Sequence, residues 1–140
     1  MLENPDESLG DLIDRQDVAF IASVDDHGFP AMKAMLPPRR REELRVFYFT
    51  TNTSSMRVGH YRANPKGCIY FCDTRLFRGV MFTGLFEILE DQDRKNGIWR
   101  EGDTEYYTLG PTDPDYCVLR FTASSYRYYS DLKTQTFVLD

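Results

Sequence analysis

Short apolar segments, rich in aromatic and β-branched residues and bounded by turn-forming residues, recur along most of the sequence. Their lengths, and their partial alternation of apolar with polar residues, are typical of β-strands with one buried face. The segments predicted as strands are 18–24, 30–36, 44–51, 68–73, 80–89, 116–122, 126–129 and 135–139. Many short strands with few helices favour an antiparallel, barrel-like domain, mainly β (α+β), over a parallel α/β fold.

Three segments carry helix signals instead. Asn4 is suited to cap, and Pro5 to begin, a short amino-terminal helix. Residues 56–63 can form a second helix, which Pro65 would end. Asp91 can cap a third. We therefore expect two or three short helices between the strands.

Composition limits the classes of protein to consider. Ten Phe, nine Tyr and one Trp among 140 residues can form a core without disulfides or a structural metal. With no internal repeat or linker, we expect one domain over residues 1–140. A net charge of −5 disfavours nucleic acid as a partner, because binding phosphates requires a basic face. The short apolar runs and the acidic amino terminus predict a cytoplasmic protein without a membrane partner.

Side chains that usually carry hydrolytic or metal chemistry are scarce. The two histidines are His27, in a predicted turn, and His60, in a predicted helix, and the sequence has no Gly-x-Ser-x-Gly elbow. Cys68, Cys72 and Cys117 lack the two-residue spacing of a redox or zinc motif, so we interpret them as structural. The sequence predicts no metal site, and no side chain stands out as a catalytic acid or base.

The most informative segment is 49–57, Phe-Thr-Thr-Asn-Thr-Ser-Ser-Met-Arg. It ends a strand in hydroxyl side chains and begins a helix with Arg57 in its first turn. Free N–H groups at a helix start, hydroxyl donors and a guanidinium together can bind a phosphate. The segment lacks the glycines and lysine of a P-loop, and a simple capped helix is the alternative interpretation.

Lys33 lies in a predicted strand among small and apolar residues, where a buried ammonium would need an anionic partner or a path to water. If this strand lies beside the one ending at Thr51, Lys33 and Arg57 can both approach one phosphate. The backbone groups near Ala34 and Met35 would then be free to contact a flat heteroaromatic ring. Such an arrangement suits flavin mononucleotide (FMN).

A set of motifs in a fixed order extends this picture over about residues 8–130. They are Gly28-Phe29-Pro30 followed by Lys33 and Met35, then Phe49-Thr50-Thr51-Asn52 with Ser55 and Arg57, then Asn64-Pro65, and finally Gly84 with Asp91 and Trp99. In this order and spacing the sequence resembles the FMN-binding split-barrel proteins related to pyridoxamine 5′-phosphate oxidase, including their small general-stress-protein branch. The resemblance implies an antiparallel split β-barrel.

The resemblance also implies roles for individual residues. Lys33, Ser55 and Arg57 match the positions that hold the FMN phosphate in that family. Thr50 and Thr51 match the strand-end pair that lines the phosphate and the ribityl chain.

Further positions follow from the same resemblance. Ala34 and Met35 match the strand edge beside the flavin ring, and Asn52 completes the strand-end set of cofactor-binding residues. Family members are homodimers with the cofactor at the subunit interface, so Arg78 and Gly79 would approach the partner's flavin. The flavin would supply redox chemistry toward a small molecule.

Some positions depart from the full oxidase. Gly79 stands where the oxidase has glutamine, and Met56 where it has arginine. The segment 126–131, Tyr-Arg-Tyr-Tyr-Ser-Asp, lacks the histidine of the oxidase's substrate-binding signature. The resemblance therefore predicts the cofactor but neither a vitamin B6 substrate nor any other named one.

Two alternatives remain open at this stage. One is a protein that stores or senses flavin, haem or another flat cofactor, or acts as a stress protein, without turnover. The other is a deazaflavin-dependent reductase, whose longer acidic cofactor tail would use further basic residues such as Arg39-Arg40-Arg41.

Overall fold

The computed structural model describes residues 5–140, so the predicted cap at Asn4 lies outside the described residues. The first element of the described residues is helix α1 (Pro5–Asp14), which buries Leu9, Leu12 and Ile13 against the sheet. This confirms the predicted amino-terminal helix.

The remaining elements follow in chain order. They are β1 (Ala19–Val24), β2 (Pro30–Met35), β3 (Arg40–Glu42), β4 (Val46–Asn52), α2 (Met56–Ala63), β5 (Lys66–Asp73), β6 (Arg78–Leu89), α3 (Gln92–Ile98), β7 (Tyr116–Ser130) and β8 (Lys133–Val138). Two short 3-10 turns, Asp103–Glu105 and Gly110–Thr112, lie between α3 and β7. None of the helices within residues 5–140 has the length and apolar character needed to cross a bilayer.

The strands of residues 5–140 form one antiparallel sheet in the order β2-β1-β5-β6-β7-β4-β3. Strand β7 pairs with β4 along its first half and with β8 along its second half. No ladder in this part of the chain joins β2 to β3, so the sheet is open. Eight strands and three helices in this arrangement confirm the predicted antiparallel split-barrel fold.

Two strand predictions are wrong in detail. Residues 116–122 and 126–129 belong to the single strand β7, because β6 continues to pair with it through the small residues between them. The register between β6 and β7 shifts once at Gly84, where Ser124 is the extra residue of a bulge. Residues 40–42, predicted as loop, form β3, which pairs with β4.

Two aromatic clusters lie on opposite faces of β4. Phe47 and Phe49 point into the main core, where the Phe47 ring lies 4.9 Å from that of Phe82. On the other face, Tyr107 and Tyr116 pack with their ring centroids 4.8 Å apart, beneath the segment that follows α3. The chain thus forms a second small core behind β4.

A buried ion pair fixes the segment after α3. Arg39 donates two hydrogen bonds to Asp103, of 2.8 and 2.7 Å, and the two side chains are only 9% and 6% exposed. Burial alone would raise the pKa of Asp103, but the bonds from Arg39 and from the Arg100 N–H outweigh it and hold the pKa below its usual range. The long connection between α3 and β7 is therefore fastened close to β4.

Candidate functional site

The end of β4 divides its predicted site residues between two faces. Successive side chains of a strand point to opposite sides of the sheet. Thr51 is buried and follows Phe49 on the main-core face, whereas Thr50 lies on the other face and hydrogen-bonds the Tyr107 hydroxyl. The structure therefore separates Thr50 and Thr51, which the sequence had grouped.

Three of the predicted site residues lie close together at the junction of β4 and α2, namely Thr51, Ser55 and Arg57. Arg57 Nη2 donates to Thr51 Oγ1 at 3.0 Å, and the Thr51 hydroxyl lies 3.5 Å from Ser55 Oγ. Because Thr51 Oγ1 directs its own proton toward Ser55, the Ser55 hydroxyl proton is left for a further acceptor. We call these three residues the β4–α2 cluster.

Arg57 carries an incompletely paired charge. Its Nε is buried and has no hydrogen-bond partner among residues 5–140, and no carboxylate of that range forms an ion pair with it. Partial burial lowers the pKa of the guanidinium, yet an arginine stays protonated under ordinary conditions. A half-buried cation with a free donor is the electrostatic complement of an anion.

The start of α2 adds to this positive region. Ser55 occupies the N-cap position, but its side chain makes no capping hydrogen bond, and the first turn contains no acidic residue. The first N–H groups of a helix lack intrahelical partners, and they carry the positive end of the helix dipole. Arg57 in this first turn is unfavourable without an anion. We refer to the β4–α2 cluster as the candidate anion site, because its donors and positive charge favour a bound anion.

Asn52 serves a different purpose from its neighbours. Its Nδ2 donates to Asp115 Oδ2 at 2.9 Å, and the Ser54 N–H donates to Asp115 Oδ1 at 2.8 Å. Bonds from the Ser54 side chain and N–H, and from Asn52, hold the pKa of Asp115 below its usual range. The sequence analysis missed Asp115, which lies 61 residues from Ser54 and has no local motif that points to this turn.

Of the two possibilities expected for Lys33, an anionic partner or a path to water, the structure shows the second, because the side chain is exposed. The condition that its strand lies beside the one ending at Thr51 is not met: β2 pairs with β1 and not with β4, with Lys33 opposite Ile21. The spacing of residues within β2 carries no information about which strand lies beside it.

Helix α2, and not strand pairing, links the anion site to the β1–β2 hairpin. The hydroxyl of Ser23 on β1 lies 2.7 Å from Nδ1 of His60 on α2, and both side chains are buried. Ser23 pairs with Ala31, and Lys33 lies two residues further along β2 on the same face. Lys33 and the β4–α2 cluster thus belong to the same side of the sheet.

The backbone near Ala34 and Met35 lies on a free strand edge. Both residues pair with β1, and the other edge of β2 has no partner strand among residues 5–140. An unpaired edge presents N–H and C=O groups to whatever lies against it. No hydrogen bond within the described part of the chain joins this edge to the β4–α2 cluster.

Arg78 and Gly79 lie at the start of β6. Arg78 Nε donates to Asp73 Oδ2 at 3.2 Å. A Cβ atom at Gly79 would lie only 2.1 Å from the hydroxyl of Tyr70, so this hydroxyl occupies the space that a side chain at position 79 would need. A glutamine at position 79 would therefore fit only if the Tyr70 side chain moved, and no local motif in the sequence points to Tyr70.

The run Arg39-Arg40-Arg41, considered above for an acidic cofactor tail, has partners within the chain. Arg39 binds Asp103, and Arg40 and Arg41 lie 2.9 and 2.8 Å from the carboxylates of Glu42 and Asp14. Arg39 is therefore held by a buried partner, which weakens the observation that favoured a deazaflavin cofactor.

A double-mutant cycle tests the packing at Gly79. We expect Gly79→Ala to destabilise the protein by roughly 1–3 kcal/mol, because the new methyl group meets the Tyr70 hydroxyl. In a Tyr70→Leu background the same substitution should cost much less, and urea denaturation of the four proteins measures the coupling. Gly97→Ala, where a Cβ meets nothing within 4 Å, is the matched control. Additive effects of the two substitutions would contradict the close contact.

Comparison with protein families gives one family profile that matches. It is described as "Pyridoxamine 5′-phosphate oxidase" and matches residues 5–130. Curated protein sequences yield no match.

Solved structures include several similar chains. A protein related to general stress protein 26 of B. subtilis (pyridoxinephosphate oxidase family), from Clostridium acetobutylicum, is 36% identical with a TM-score of 0.91, over 100% of this chain and 98% of that one. General stress protein 26 from Bacillus anthracis is 22% identical, with a TM-score of 0.78 over 96% and 98%. A pyridoxamine 5′-phosphate oxidase-related, FMN-binding protein from Nostoc punctiforme is 13% identical, with a TM-score of 0.77 over 99% and 98%. The last two show likeness of fold.

Proposed function

Because the chain belongs to the pyridoxamine 5′-phosphate oxidase family, we propose that it binds FMN and uses the redox chemistry of that cofactor on a small molecule. The observation that carries this proposal is Arg57, a half-buried cation with a buried, unpaired Nε beside two hydroxyls and an uncapped helix start. A relative of the same fold is described as FMN binding, which supports the same cofactor.

The residues of the site fit the phosphate of FMN. A phosphate group accepts several hydrogen bonds and carries nearly two negative charges, which suits the Arg57 guanidinium, the Ser55 hydroxyl and the first N–H groups of α2. Thr51 holds Arg57 and Ser55 in place. Lys33 would add a flexible second charge from the same side of the sheet.

The remaining predicted contacts belong to the proposal as well. The free edge of β2 at Ala34 and Met35 offers backbone donors and acceptors of the kind that a flavin ring requires. Thr50 lies on the other face of β4 and hydrogen-bonds Tyr107, so its side chain points away from the β4–α2 cluster. Asn52 supports the site through Asp115.

A comparison of FMN with riboflavin tests the phosphate site. Loss of a charge-assisted hydrogen bond costs about 1.5–3 kcal/mol, so Arg57→Ala should weaken FMN by roughly ten- to a hundredfold while riboflavin changes little. Adding Lys33→Ala to Arg57→Ala should weaken the binding of FMN further. Titrations followed by flavin fluorescence measure both affinities. Arg62→Ala, on the same helix but paired with Glu90, is the control that should leave both unchanged. Equal losses for FMN and riboflavin would place the phosphate elsewhere.

Turnover separates an enzyme from a storage protein. Bound FMN supplies two-electron redox chemistry, and the chain holds and orients the cofactor without a side chain that must change charge. We expect the FMN-loaded protein to lose its visible flavin absorbance when a reduced nicotinamide is added without oxygen, faster than free FMN does, and to regain it with an electron acceptor. A loaded protein that does neither faster than free FMN would be a binding or stress protein without turnover.

We further propose a homodimer with the cofactor at the subunit interface. The outer face of strands β2, β1, β5 and β6 carries exposed apolar side chains, Met32, Phe20, Met81 and Leu85. A groove of about 590 Å³ with a largely apolar lining opens on this face. Several exposed apolar side chains beside a groove on one face are typical of a protein interaction site. Arg78 and Gly79 begin β6 and would approach the partner's cofactor.

Light scattering tests the dimer. The wild-type chain should have twice the mass of one chain, and Met81→Lys with Leu85→Lys should yield a folded monomer, because two charges would be buried without partners. Leu132→Lys, in the exposed turn between β7 and β8, is the control that should remain dimeric. A wild-type protein that scatters as one chain would refute this part of the proposal.

A further inference from the structure

Asp115 lies just before β7 and holds the turn between β4 and α2 from its outer side. Its carboxylate accepts bonds from the Ser54 N–H at 2.8 Å and from Asn52 Nδ2 at 2.9 Å, besides the one from the Ser54 side chain. Its backbone carbonyl accepts a further bond, from the Thr53 N–H at 2.8 Å. Three successive residues of the turn are thus bound to one residue that is distant in sequence.

This turn determines where the anion site begins. The Ser55 N–H donates to the Asn52 carbonyl at 2.9 Å, so the start of α2 follows the position of Asn52. The Ser55 side chain does not cap the helix, and a helix start without a cap is free to fray. The bonds to Asp115 therefore take the place of a local cap in fixing the helix start relative to Thr51.

Asp115 is itself held by a rigid support. Asp113 Oδ1 accepts from the Asp115 N–H at 2.9 Å, and Asp113 Oδ2 accepts from the Leu109 N–H at 3.1 Å. The buried Lys95 on α3 donates to the Asp113 carbonyl at 3.0 Å. A continuous set of hydrogen bonds therefore connects α3 to the turn that precedes α2.

We infer that Asp115 is a positioning residue for phosphate binding, an inference that rests on the proposed FMN site at the β4–α2 cluster. The Asp115 carboxylate binds the turn and forms no ion pair with Arg57. The charge of Arg57 therefore remains available for the ligand. Asp115 thus orders the phosphate donors without neutralising them. Substitution of Asp115 should therefore weaken the binding of the FMN phosphate and leave the binding of the flavin ring unchanged.

The experiment compares FMN, riboflavin and inorganic phosphate as ligands of the Asp115 variants. Asp115→Ala removes the carboxylate bonds to Asn52 and Ser54, so the affinity for FMN should fall about tenfold while that for riboflavin changes less than about twofold. Asp115→Asn keeps an acceptor for the Ser54 N–H, so its affinity for FMN should lie between that of Asp115→Ala and that of the wild type. Inorganic phosphate should compete with FMN more weakly in Asp115→Ala than in the wild type.

A matched control separates positioning from stability. Asp91 caps α3 by accepting from the Arg94 N–H at 3.1 Å, so Asp91→Ala removes a comparable bond far from the anion site. Its ratio of FMN to riboflavin affinity should equal that of the wild type. Circular dichroism and thermal unfolding of each variant identify those that are folded, and the folded Asp115→Asn protein carries the test if Asp115→Ala does not fold.

The outcomes are distinguishable. A ratio of FMN to riboflavin affinity that is unchanged in both Asp115 variants, or equal losses for the two ligands, would give Asp115 only a structural role and overturn the inference. A wild-type protein that binds FMN no more tightly than riboflavin would instead overturn the proposed phosphate site itself.

Discussion

The pairing of β6 with β7 supports everything else in the fold. These two strands, of 12 and 15 residues, remain paired from Gly79 opposite Tyr129 to Leu89 opposite Val118, with one bulge at Gly84. Strand β6 carries β5 on its other edge, and β7 carries β4 and β8. The candidate anion site lies at the end of β4, and the apolar outer face includes β5 and β6. One long ladder therefore sets the relation between the two surfaces on which the proposed function depends.

Two arginines show how the fold distinguishes structural from ligand-binding charges. Arg39 is buried with a bidentate carboxylate partner, Asp103, so its charge is satisfied within the chain. Arg57 is half-buried, donates to a neutral hydroxyl, and leaves a buried Nε without a partner among residues 5–140. An uncompensated charge of this kind lowers the stability of the free protein, and an anionic ligand would restore it. The site is thus defined by an interaction that the chain itself leaves incomplete.

Local signals predicted some features well and others poorly, for physical reasons. The helix 56–63 was predicted with its observed bounds, because hydroxyl residues before it and a proline after it act over a few residues. The condition that the strand of Lys33 lies beside β4 is not met, because the pairing of β2 with β1 is decided by the whole sheet and not by the residues within β2. The split of 116–130 into two strands failed because the partner strand β6, and not the local sequence, maintains the ladder.

The sequence by itself determined the type and order of most elements and the gathering of hydroxyls and Arg57 at one helix start. These depend on periodicity and on contacts between near neighbours, which any folded form of the chain must respect. The tertiary structure alone decided that Asp115 holds the turn, that Tyr70 fills the space beside Gly79, and that Arg39 has a carboxylate partner while Arg57 has none among residues 5–140. Each of these joins residues from different elements, and only the pairing and packing of the sheet bring such residues within hydrogen-bond distance.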